Sequence, residues 1–574
     1  MRRFRVHSSY SLAVLGVLSF CSLIWPQSSR SEGAAPAVAE PGFRVTPPDS
    51  ESAEVQRRAV ISPRDAVGYS DLLAELGSLP DGAGLAVGQV EAGGSAYMPD
   101  LTVPAFAGKT IVDGTGFNAG AYSHATGVGR RQYGSEISLS PGVSDITVYQ
   151  ADDYLFSVIG FGSGLPPLAQ PFAVMNHSYV GSGAGAVYAQ ELNRRMDVLV
   201  EQENAVVVAG TNNGASSPLP EFFAQTYNTI TVGRSDGDHA AGFTTLNGSG
   251  RIKPDIVAPE GTVSNSAPMV AAAASVLLER GQATGNPNST QNEVVKAALL
   301  AGATKDEFTG WSNSDLQPLD LVYGAGELNI YNSYFILEGG EFANSSTGGS
   351  PPLADGRGWD YEPEIVPLQD RDYRLEIAVP SEVSIALAWN AQISDSGGAL
   401  DYDTLELPAL ELYLQDASES FPGVPLAVSA STVDNVQHIH VRDVPAGTYT
   451  MTVRSIDGTT DYGLAWRVDG AAAVSAPGSG ARTGLRLHEA QPNPFNPSTV
   501  IRFDVAVAGP VELAVFDVAG RRVRTLVHDS RDAGSYRVSW NGRDEAGRPV
   551  ASGVYLYELR AGSEKQTRRM TLVK

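Results

Sequence analysis

The segment Gly261-Thr-Val-Ser-Asn-Ser-Ala-Pro-Met-Val270 runs directly into the very apolar stretch Ala271-Ala-Ala-Ala-Ser-Val-Leu-Leu278. The pattern predicts a helix over 267–279 with Ser264 at its start. Upstream, a second helical pattern covers 187–203, and short apolar runs precede or separate the helices. These strand-like runs are Leu85–Val90, Ile146–Gln150, Phe172–Asn176, Ala205–Val208, Thr229–Val232 and Ile256–Ala258. Short strands alternating with helices predict an α/β fold with a parallel sheet between helical layers.

Two further side chains belong beside Ser264. Glu91 directly follows the strand-like run 85–90, and His124 stands in Ser-His-Ala-Thr-Gly-Val-Gly129 before a helical pattern. In open parallel sheets, ligands bind at the carboxyl ends of the strands. A serine hydroxyl becomes a nucleophile when an imidazole takes its proton, and a carboxylate fixes the tautomer of that imidazole. Glu91, His124 and Ser264 are therefore candidate catalytic residues, in the order acid, His, Ser.

An amide follows the apolar run 205–208, in Ala209-Gly-Thr-Asn-Asn-Gly214. A side-chain amide at this position can donate to the oxyanion of an acyl-transfer intermediate. On the residues alone, Asn212 and Asn213 are both candidates for this role.

Each candidate also has a structural interpretation. Ser264 alone reads as the N-cap of its helix, His124 as a hydrogen-bonded core or surface residue, and Asn212 as part of a turn. Asp100, in Met-Pro-Asp, competes with Glu91 for the acid. Glu91 is preferred because it alone ends a strand.

Five segments in order resemble the subtilase family over about 84–337. They are His124-Ala-Thr-Gly-Val-Gly129, Ala209-Gly-Thr-Asn-Asn-Gly214, Phe222 to Ser235, Gly250-Arg-Ile-Lys-Pro-Asp-Ile-Val-Ala-Pro259 and Ser264-Asn-Ser-Ala-Pro-Met-Val-Ala271. The resemblance implies a peptidase acting through an acyl-enzyme, with Ser264 as nucleophile, His124 as base and then acid, and Glu91 as the orienting carboxylate. It further implies Asn212 as the oxyanion donor. The implied groove walls, which would bind substrate, are Ser178, Tyr179, Val180, Gly181, Ala209 and Gly210.

Two positions depart from the family pattern. Glu91 stands where the family has Asp, and Val263 separates Thr262 from Ser264. These departures leave a second function class open, a catalytically inactive subtilase-fold surface protein that serves as a binding or structural module. The first class is a secreted serine endopeptidase that hydrolyses peptide bonds in a protein or peptide substrate.

The amino-terminal region has the layout of a secretory signal peptide. Arg2, Arg3 and Arg5 precede the apolar stretch 12–25, and a segment rich in Pro and Ser follows. We expect residues 1–30 to be the signal and residues 31–80 an extension or short pro-segment containing an amphipathic helix over 65–79. An uncleaved membrane anchor is the alternative. The expected location is outside a bacterial cell, either secreted or on the surface.

Two β-rich modules are predicted behind the peptidase-like region 81–340. Residues 341–370 read as a linker, and 371–469 carry alternating runs typical of an antiparallel β-sandwich. A second linker, 470–484, leads to residues 485–574. Their segments are Gln491-Pro-Asn-Pro-Phe-Asn-Pro-Ser-Thr499, Phe516-Asp-Val-Ala-Gly-Arg-Arg-Val523, Trp540-Asn-Gly-Arg-Asp544 and Ser552-Gly-Val-Tyr-Leu-Tyr557. They resemble the Ig-like carboxyl-terminal sorting domain of type IX secretion and the Ig-like part of flagellar hook-capping proteins. The resemblance implies the secretion machinery as a partner of 485–574; a plain Ig-like spacer is the alternative.

The charge of the chain and the motifs that it lacks exclude several kinds of ligand. The formal net charge is −24, with +4 on residues 485–574 and −28 on the rest. An acidic chain binds nucleic-acid phosphates poorly. The sequence contains no glycine-rich loop followed by Lys-Ser/Thr, the pattern that would indicate a nucleotide-binding site. We expect no nucleic acid, no nucleotide, no transition metal and no cofactor. Calcium is left open, with no site assigned.

Overall fold

The computed structural model describes residues 44–46, as backbone, and 62–573. The gaps inside the second range are 118, 184, 346–352, 355, 395–401, 403, 420, 422, 471–484, 488–489, 491–492, 494, 496–498, 506–508, 532–533, 546–547 and 563. The expected signal peptide, residues 1–30, lies outside the described residues. The helix expected over 65–79 is found as two short helices, Pro63–Ala66 (α1) and Tyr69–Leu76 (α2).

The first large region is built on a parallel seven-stranded sheet. Its strands and those around it are Arg44–Thr46 (β1), Ala86–Glu91 (β2), Ala96–Met98 (β3), Thr110–Asp113 (β4), Gly120–Ala121 (β5), Asp145–Gln150 (β6), Val174–His177 (β7), Val180–Ser182 (β8), Val206–Gly210 (β9), Ile230–Arg234 (β10), Gly242–Phe243 (β11), Ile252–Lys253 (β12) and Ile256–Ala258 (β13). The sheet order is β13-β10-β9-β7-β2-β6-β4, and every neighbouring pair in it is parallel. The predicted α/β fold with a parallel sheet is confirmed.

Helices cover both faces of this sheet. They are Ser123–Gln132 (α3), the single turn Ala151–Asp153 (α4), Ala186–Glu203 (α5), Val263–Thr284 (α6), Asn292–Gly302 (α7) and Ile330–Glu338 (α8). Alternate residues of β9 show the two layers: Val206 and Val208 pack in the core with α6 and α7, whereas Val207 packs in the core with α5. Successive strand side chains point to opposite faces, so a run of valines is what a doubly covered strand requires.

The second region is a β-sandwich whose first strands lie inside the expected linker. One sheet has the order β15-β24-β17-β22 and the other β14-β16-β23-β20-β21. The strands are Leu353–Ala354 (β14), Arg357–Ile365 (β15), Asp370–Ile377 (β16), Ser381–Ala388 (β17), Gln392–Ser394 (β18), Thr404–Glu406 (β19), Ala409–Asp416 (β20), Ala427–Ser429 (β21), Val436–Val444 (β22), Gly447–Asp457 (β23) and Thr460–Gly470 (β24). The expectation that 341–370 is a linker is therefore wrong, because β15 pairs with β24 along most of its length. The segment is rich in Gly and Pro and was therefore interpreted as a linker, but its pairing with the distant β24 makes part of it a strand.

The sandwich packs on the first region through α7. Every residue of α7 is buried, and the helix contacts β17 and β24. Arg467 reaches across from β24 and donates to the carbonyl oxygens of Ala301 and Ala303 at the end of α7, at 2.9 and 3.2 Å. These bonds satisfy carbonyl groups that a helix end leaves without an intrahelical partner.

The last module is a smaller two-sheet body with its own core. Its strands are Arg486–Leu487 (β25), Thr499–Val505 (β26), Gly509–Asp517 (β27), Arg522–Arg531 (β28), Gly534–Trp540 (β29), Gly553–Ala561 (β30) and Glu564–Leu572 (β31). The sheets have the orders β25-β26-β29 and β28-β27-β30-β31, and they enclose residues such as Trp540, Phe503 and Tyr557. Antiparallel strands in two packed sheets confirm an all-β module here.

Candidate active site

Glu91 and His124 meet at the carboxyl edge of the sheet. Glu91 is the last residue of β2, and His124 is the second residue of α3. Oε2 of Glu91 lies 2.7 Å from Nδ1 of His124, and the Glu91 side chain is fully buried. This contact places the imidazole proton on Nδ1, so that Nε2 carries the lone pair that accepts a proton. The longer side chain of Glu therefore reaches the ring.

Gln89 holds the Glu91 carboxylate in place and was missed from the sequence. Its Nε2 donates to Oε1 of Glu91 at 2.7 Å and to the carbonyl of Ala125 at 2.9 Å. Its Oε1 accepts from the hydroxyl of Tyr133 at 2.5 Å. Residues two apart on a strand share a face, so the spacing of Gln89 and Glu91 is the signal that could have found it.

The pair determines the basicity of the ring. Burial opposes a positive charge on His124, but the charge of Glu91 and its hydrogen bond outweigh that effect and raise the pKa of His124 above its usual value. Nε2 is buried and has no hydrogen-bond partner among the described residues. The ring is thus a strengthened base with its accepting atom uncommitted.

Asp100, the competing acid, is engaged elsewhere. Its Oδ1 accepts from the backbone N–H and the hydroxyl of Thr102, at 3.0 and 2.7 Å. Those hydrogen bonds lower the pKa of Asp100. The contact with His124 belongs to Glu91.

Ser264 lies in the first turn of α6, a helix that packs against α3. Its Oγ lies 3.3 Å from the hydroxyl of Thr262, and the residue is 6% exposed. The nearby Ser266 is fully buried, and its Oγ bonds to the carbonyls of Ala258 and Thr262, both at 3.2 Å. Within the described part of the chain, the Ser266 hydroxyl donates to backbone carbonyls, whereas the Ser264 hydroxyl contacts only the hydroxyl of Thr262.

Of the two asparagines in the amide motif, Asn213 contacts the start of α6. Oδ1 of Asn213 accepts from the backbone N–H of Val263 at 2.9 Å. Asn213 thus supplies the capping hydrogen bond of α6 from another part of the chain, whereas the N-cap residue Thr262 makes no side-chain capping bond. Oδ1 of Asn212 is buried and has no partner among the described residues. The first N–H groups of a helix lack intrahelical acceptors and carry partial positive charge. The start of α6 therefore favours an anion next to Ser264.

Gly210 allows the end of β9 to approach α6 this closely. A Cβ at Gly210 would lie 2.7 Å from Cγ1 of Val263, which is fully buried. The backbone of Gly210 is not in the left-handed region that favours glycine. A glycine is needed here because a larger residue would not fit against Val263. Ala209, one residue earlier, is buried, and its side chain packs in the same core as α5.

The expected groove wall is an edge that binds an extended segment. β8 pairs antiparallel with β1, with Thr46 opposite Val180 and Val45 opposite Gly181. Ser178 and Tyr179 are buried; the hydroxyl of Ser178 accepts from Asn176 at 2.9 Å. The available contacts of this wall are therefore main-chain groups.

No three Asp, Glu, His or Cys side chains of the described residues stand together so as to hold a metal ion. Across the same residues, no helix is both long and apolar enough to cross a membrane.

Comparison with known families follows this geometry. Residues 119–326 match the Subtilase family. The match includes His124, Asn212 and Ser264 and begins after Glu91, and it supports a serine peptidase at the level of the family. Residues 495–565 match the FlgD Ig-like domain.

Solved structures add likenesses of low degree. The prenylagaramide maturation protease PagA is 18% identical over 47% of this chain and 98% of its own, with a TM-score of 0.33. Fervidolysin from Fervidobacterium pennivorans, a keratinolytic enzyme related to subtilisin, is 14% identical over 85% of this chain and 69% of its own, with a TM-score of 0.31. The epidermin leader peptide processing protease EpiP from Staphylococcus aureus is 14% identical over 50% and 83%, with a TM-score of 0.32. Scores this low assign no role to any residue of this chain. Among curated proteins, no match is found.

Proposed function

We propose that this protein is a secreted serine endopeptidase with Glu91, His124 and Ser264 as its triad. The observation that carries the proposal is the 2.7 Å contact between the buried Glu91 and His124, on an element that packs against the helix bearing Ser264. Family-level similarity over 119–326 supports the same chemistry.

The proposed reaction proceeds in two acyl-transfer steps. Oγ of Ser264 attacks the peptide carbonyl while its proton passes to Nε2 of His124, and Glu91 stabilises the resulting imidazolium. The tetrahedral intermediate collapses as His124 returns the proton to the leaving amine, which departs and leaves an acyl-serine. Water then attacks the acyl group with His124 again as base, and Ser264 is released. The transfer requires Nε2 and Oγ to come within hydrogen-bond distance, a contact that often tightens only when substrate binds.

The oxyanion is proposed to receive an amide N–H from Asn212 together with the partial positive charge at the start of α6. The second candidate is Asn213, because its anchored Oδ1 holds that side chain beside the residue preceding Ser264. Alanine at the true donor should lower kcat about 10²–10³-fold with little change in KM. Comparing Asn212→Ala with Asn213→Ala identifies the donor by which variant shows that pattern.

Substrate binding is proposed to use Ser178, Tyr179, Val180, Gly181, Ala209 and Gly210 as groove walls. The pairing of β1 on β8 supports this, since that edge already accepts an extended chain antiparallel. Strand addition of this kind reads main-chain groups first.

The alternative is a catalytically silent surface protein. It is favoured by the lack of a hydrogen-bond partner for Nε2 of His124 among the described residues. A fluorophosphonate probe separates the two, because it phosphonylates only activated serines, with loss of fluoride. Labelling of the full chain that disappears in Ser264→Ala and persists in Ser266→Ala supports the peptidase. Folded protein that never labels supports the silent form.

Export is proposed to depend on residues 1–30 as signal and on residues 485–574 as a type IX sorting module. The FlgD Ig-like match and the positive net charge of that module, against −28 on the rest, support a separately recognised body. Deleting 485–574 should retain the protein inside the cell, as measured by fractionation. Undiminished secretion would leave the module as a spacer.

A further inference from the structure

Glu293 is a buried acid at the contact between α7 and the β-sandwich. It is the second residue of α7 and is 4% exposed. Its Oε1 accepts from Nδ2 of Asn390, in the sandwich, at 2.6 Å. Its Oε2 is buried and has no hydrogen-bond partner among the described residues. A buried carboxylate with one oxygen unsatisfied is costly in its charged form.

The charges around Glu293 are mostly of the same sign. Asp461 on β24 and Glu201 near the end of α5 both act on it, and Lys296, one turn along α7, acts in the opposite direction. Nζ of Lys296 donates to the carbonyls of Tyr227 and Thr229, at 3.0 and 3.1 Å, and so is committed elsewhere. On the sandwich side, Tyr361 donates to Oδ2 of Asp461 at 2.7 Å. The α/β region thus contributes Glu293 and Glu201 to this cluster of acids, and the β-sandwich contributes Asp461.

Glu293 therefore favours the protonated form. Burial, and then the charge of Asp461, raise the pKa of Glu293 well above its usual range, with a smaller contribution from Glu201. The start of α7 and Lys296 oppose this shift without cancelling it. A proton on Glu293 removes its repulsion with Asp461 and Glu201.

The backbones touch at this same point. A Cβ at Gly463 of β24 would lie 2.4 Å from the carbonyl carbon of Glu293. Close by, Asn228 accepts from the N–H of Ala391 at 2.8 Å and donates to its carbonyl at 3.1 Å. Because the two backbones are in close contact here, Glu293 and Asp461 stay near each other unless the contact between α7 and β24 opens.

We propose that Glu293 is a proton-dependent clamp between the α/β region and the β-sandwich, which holds when Glu293 is neutral and loosens when it ionises. The clamp is independent of whether Ser264 is catalytic. It makes the sandwich a pH-sensitive support of α7, a helix that also lines the core beneath the central sheet.

The sign of the effect follows from linkage. A carboxyl with a raised folded-state pKa binds a proton in the folded state that the unfolded state has already lost, so stability falls as pH rises above the usual carboxyl range. The loss levels off once Glu293 is ionised in both states. A pKa displacement of one unit alone changes the equilibrium tenfold.

The test uses the full chain with Ser264→Ala, which prevents self-digestion, and compares Glu293 with Glu293→Gln. Glutamine keeps an acceptor for Asn390 and cannot ionise. Hydrogen exchange of α7 and β24 is measured for both proteins at about pH 4 and about pH 8, and the two proteins are compared with each other at each pH. We expect nearly equal protection near pH 4, and exchange at least tenfold faster in the Glu293 protein near pH 8. Glu376→Gln, at an exposed glutamate of the sandwich, serves as the matched control and should change neither ratio.

Equal opening at both pH values would overturn the proposal. If Glu293→Gln does not fold, Asp461→Asn carries the same test, and it should reduce the loss of protection at high pH; an unchanged pH dependence would refute the clamp. Calcium is added in a parallel measurement near pH 8. Restored protection with calcium would mean that a cation, not a proton, neutralises the cluster, and would also overturn the proposal.

Discussion

Replacing Glu91 with Gln tests the proposed triad because the surrounding bonds dictate how an amide must sit. Gln89 cannot turn over, since its Nε2 donates to the carbonyl of Ala125 and its Oε1 accepts from Tyr133. It therefore presents an N–H to position 91, and a new amide there must turn its oxygen towards Gln89. Its NH₂ group then faces Nδ1 of His124.

That orientation forces the wrong tautomer on the ring. Nδ1 must accept, the imidazole proton moves to Nε2, and Nε2 can no longer take the proton of Ser264. Loss of the correct tautomer in a triad costs about 10⁴-fold in kcat, or about 5.5 kcal/mol of transition-state stabilisation. The assay is steady-state hydrolysis of a fluorogenic peptide pool, with circular dichroism to confirm folding. Asp100→Asn is the matched control and should stay within about twofold, because the Asp100 carboxylate accepts from Thr102 and it is Glu91 that contacts His124.

A double variant checks the cause. In Gln89→Leu with Glu91→Gln, the amide at 91 is free to turn its oxygen to His124, and we expect kcat about tenfold above Glu91→Gln alone. The reasoning is refuted if Glu91→Gln keeps activity within tenfold of the parent, or if Asp100→Asn is the more damaging change.

Three further outcomes are expected. As pH falls, the His124 ring becomes protonated and kcat/KM decreases. Because the pKa of His124 is raised, the midpoint of this decrease should lie above about pH 6.5. A midpoint below that value would contradict the interaction with Glu91. Gly210→Ala should lower kcat at least tenfold and also lower the melting temperature, since its Cβ would meet Val263; unchanged kinetics would mean that the contact relaxes freely. Deleting residues 44–46 should lower KM for peptides with kcat unchanged, because substrate then no longer has to displace β1 from β8. The control is a deletion of equal length at 51–53. If both deletions give the same KM, the pairing of β1 with β8 does not compete with substrate.

The central sheet could be predicted because its strands are specified by local composition. Runs such as 205–208 are apolar at every position, which only a strand covered on both faces requires, and these runs match β strands to within two residues. The edge strand β4 was missed because Thr110–Asp113 is short and only partly buried, so it carries little apolar signal. β15 was missed for a related reason, since pairing with the distant β24 defines it rather than its own composition.

The candidate site divides in the same way. Glu91, His124 and Ser264 were identifiable because each follows a strand or begins a helix, and parallel strands bring those ends to one edge. The anchoring of Asn213 was not found, because it depends on a contact with Val263, which is distant in the chain. Gln89 lies only two residues from Glu91, but its orientation is fixed by Ala125 and Tyr133, which are distant in the chain.

By itself, then, the sequence determined the α/β class, the order of the candidate catalytic side chains and the presence of β-rich modules, since these follow from local periodicity and residue type. The tertiary structure alone decided that Glu91 rather than Asp100 meets the imidazole, that a segment near residue 45 lies on β8, and that Glu293 is buried against the sandwich. The physical reason is that hydrogen bonding, packing and desolvation depend on which distant residues become neighbours, and no local pattern records that.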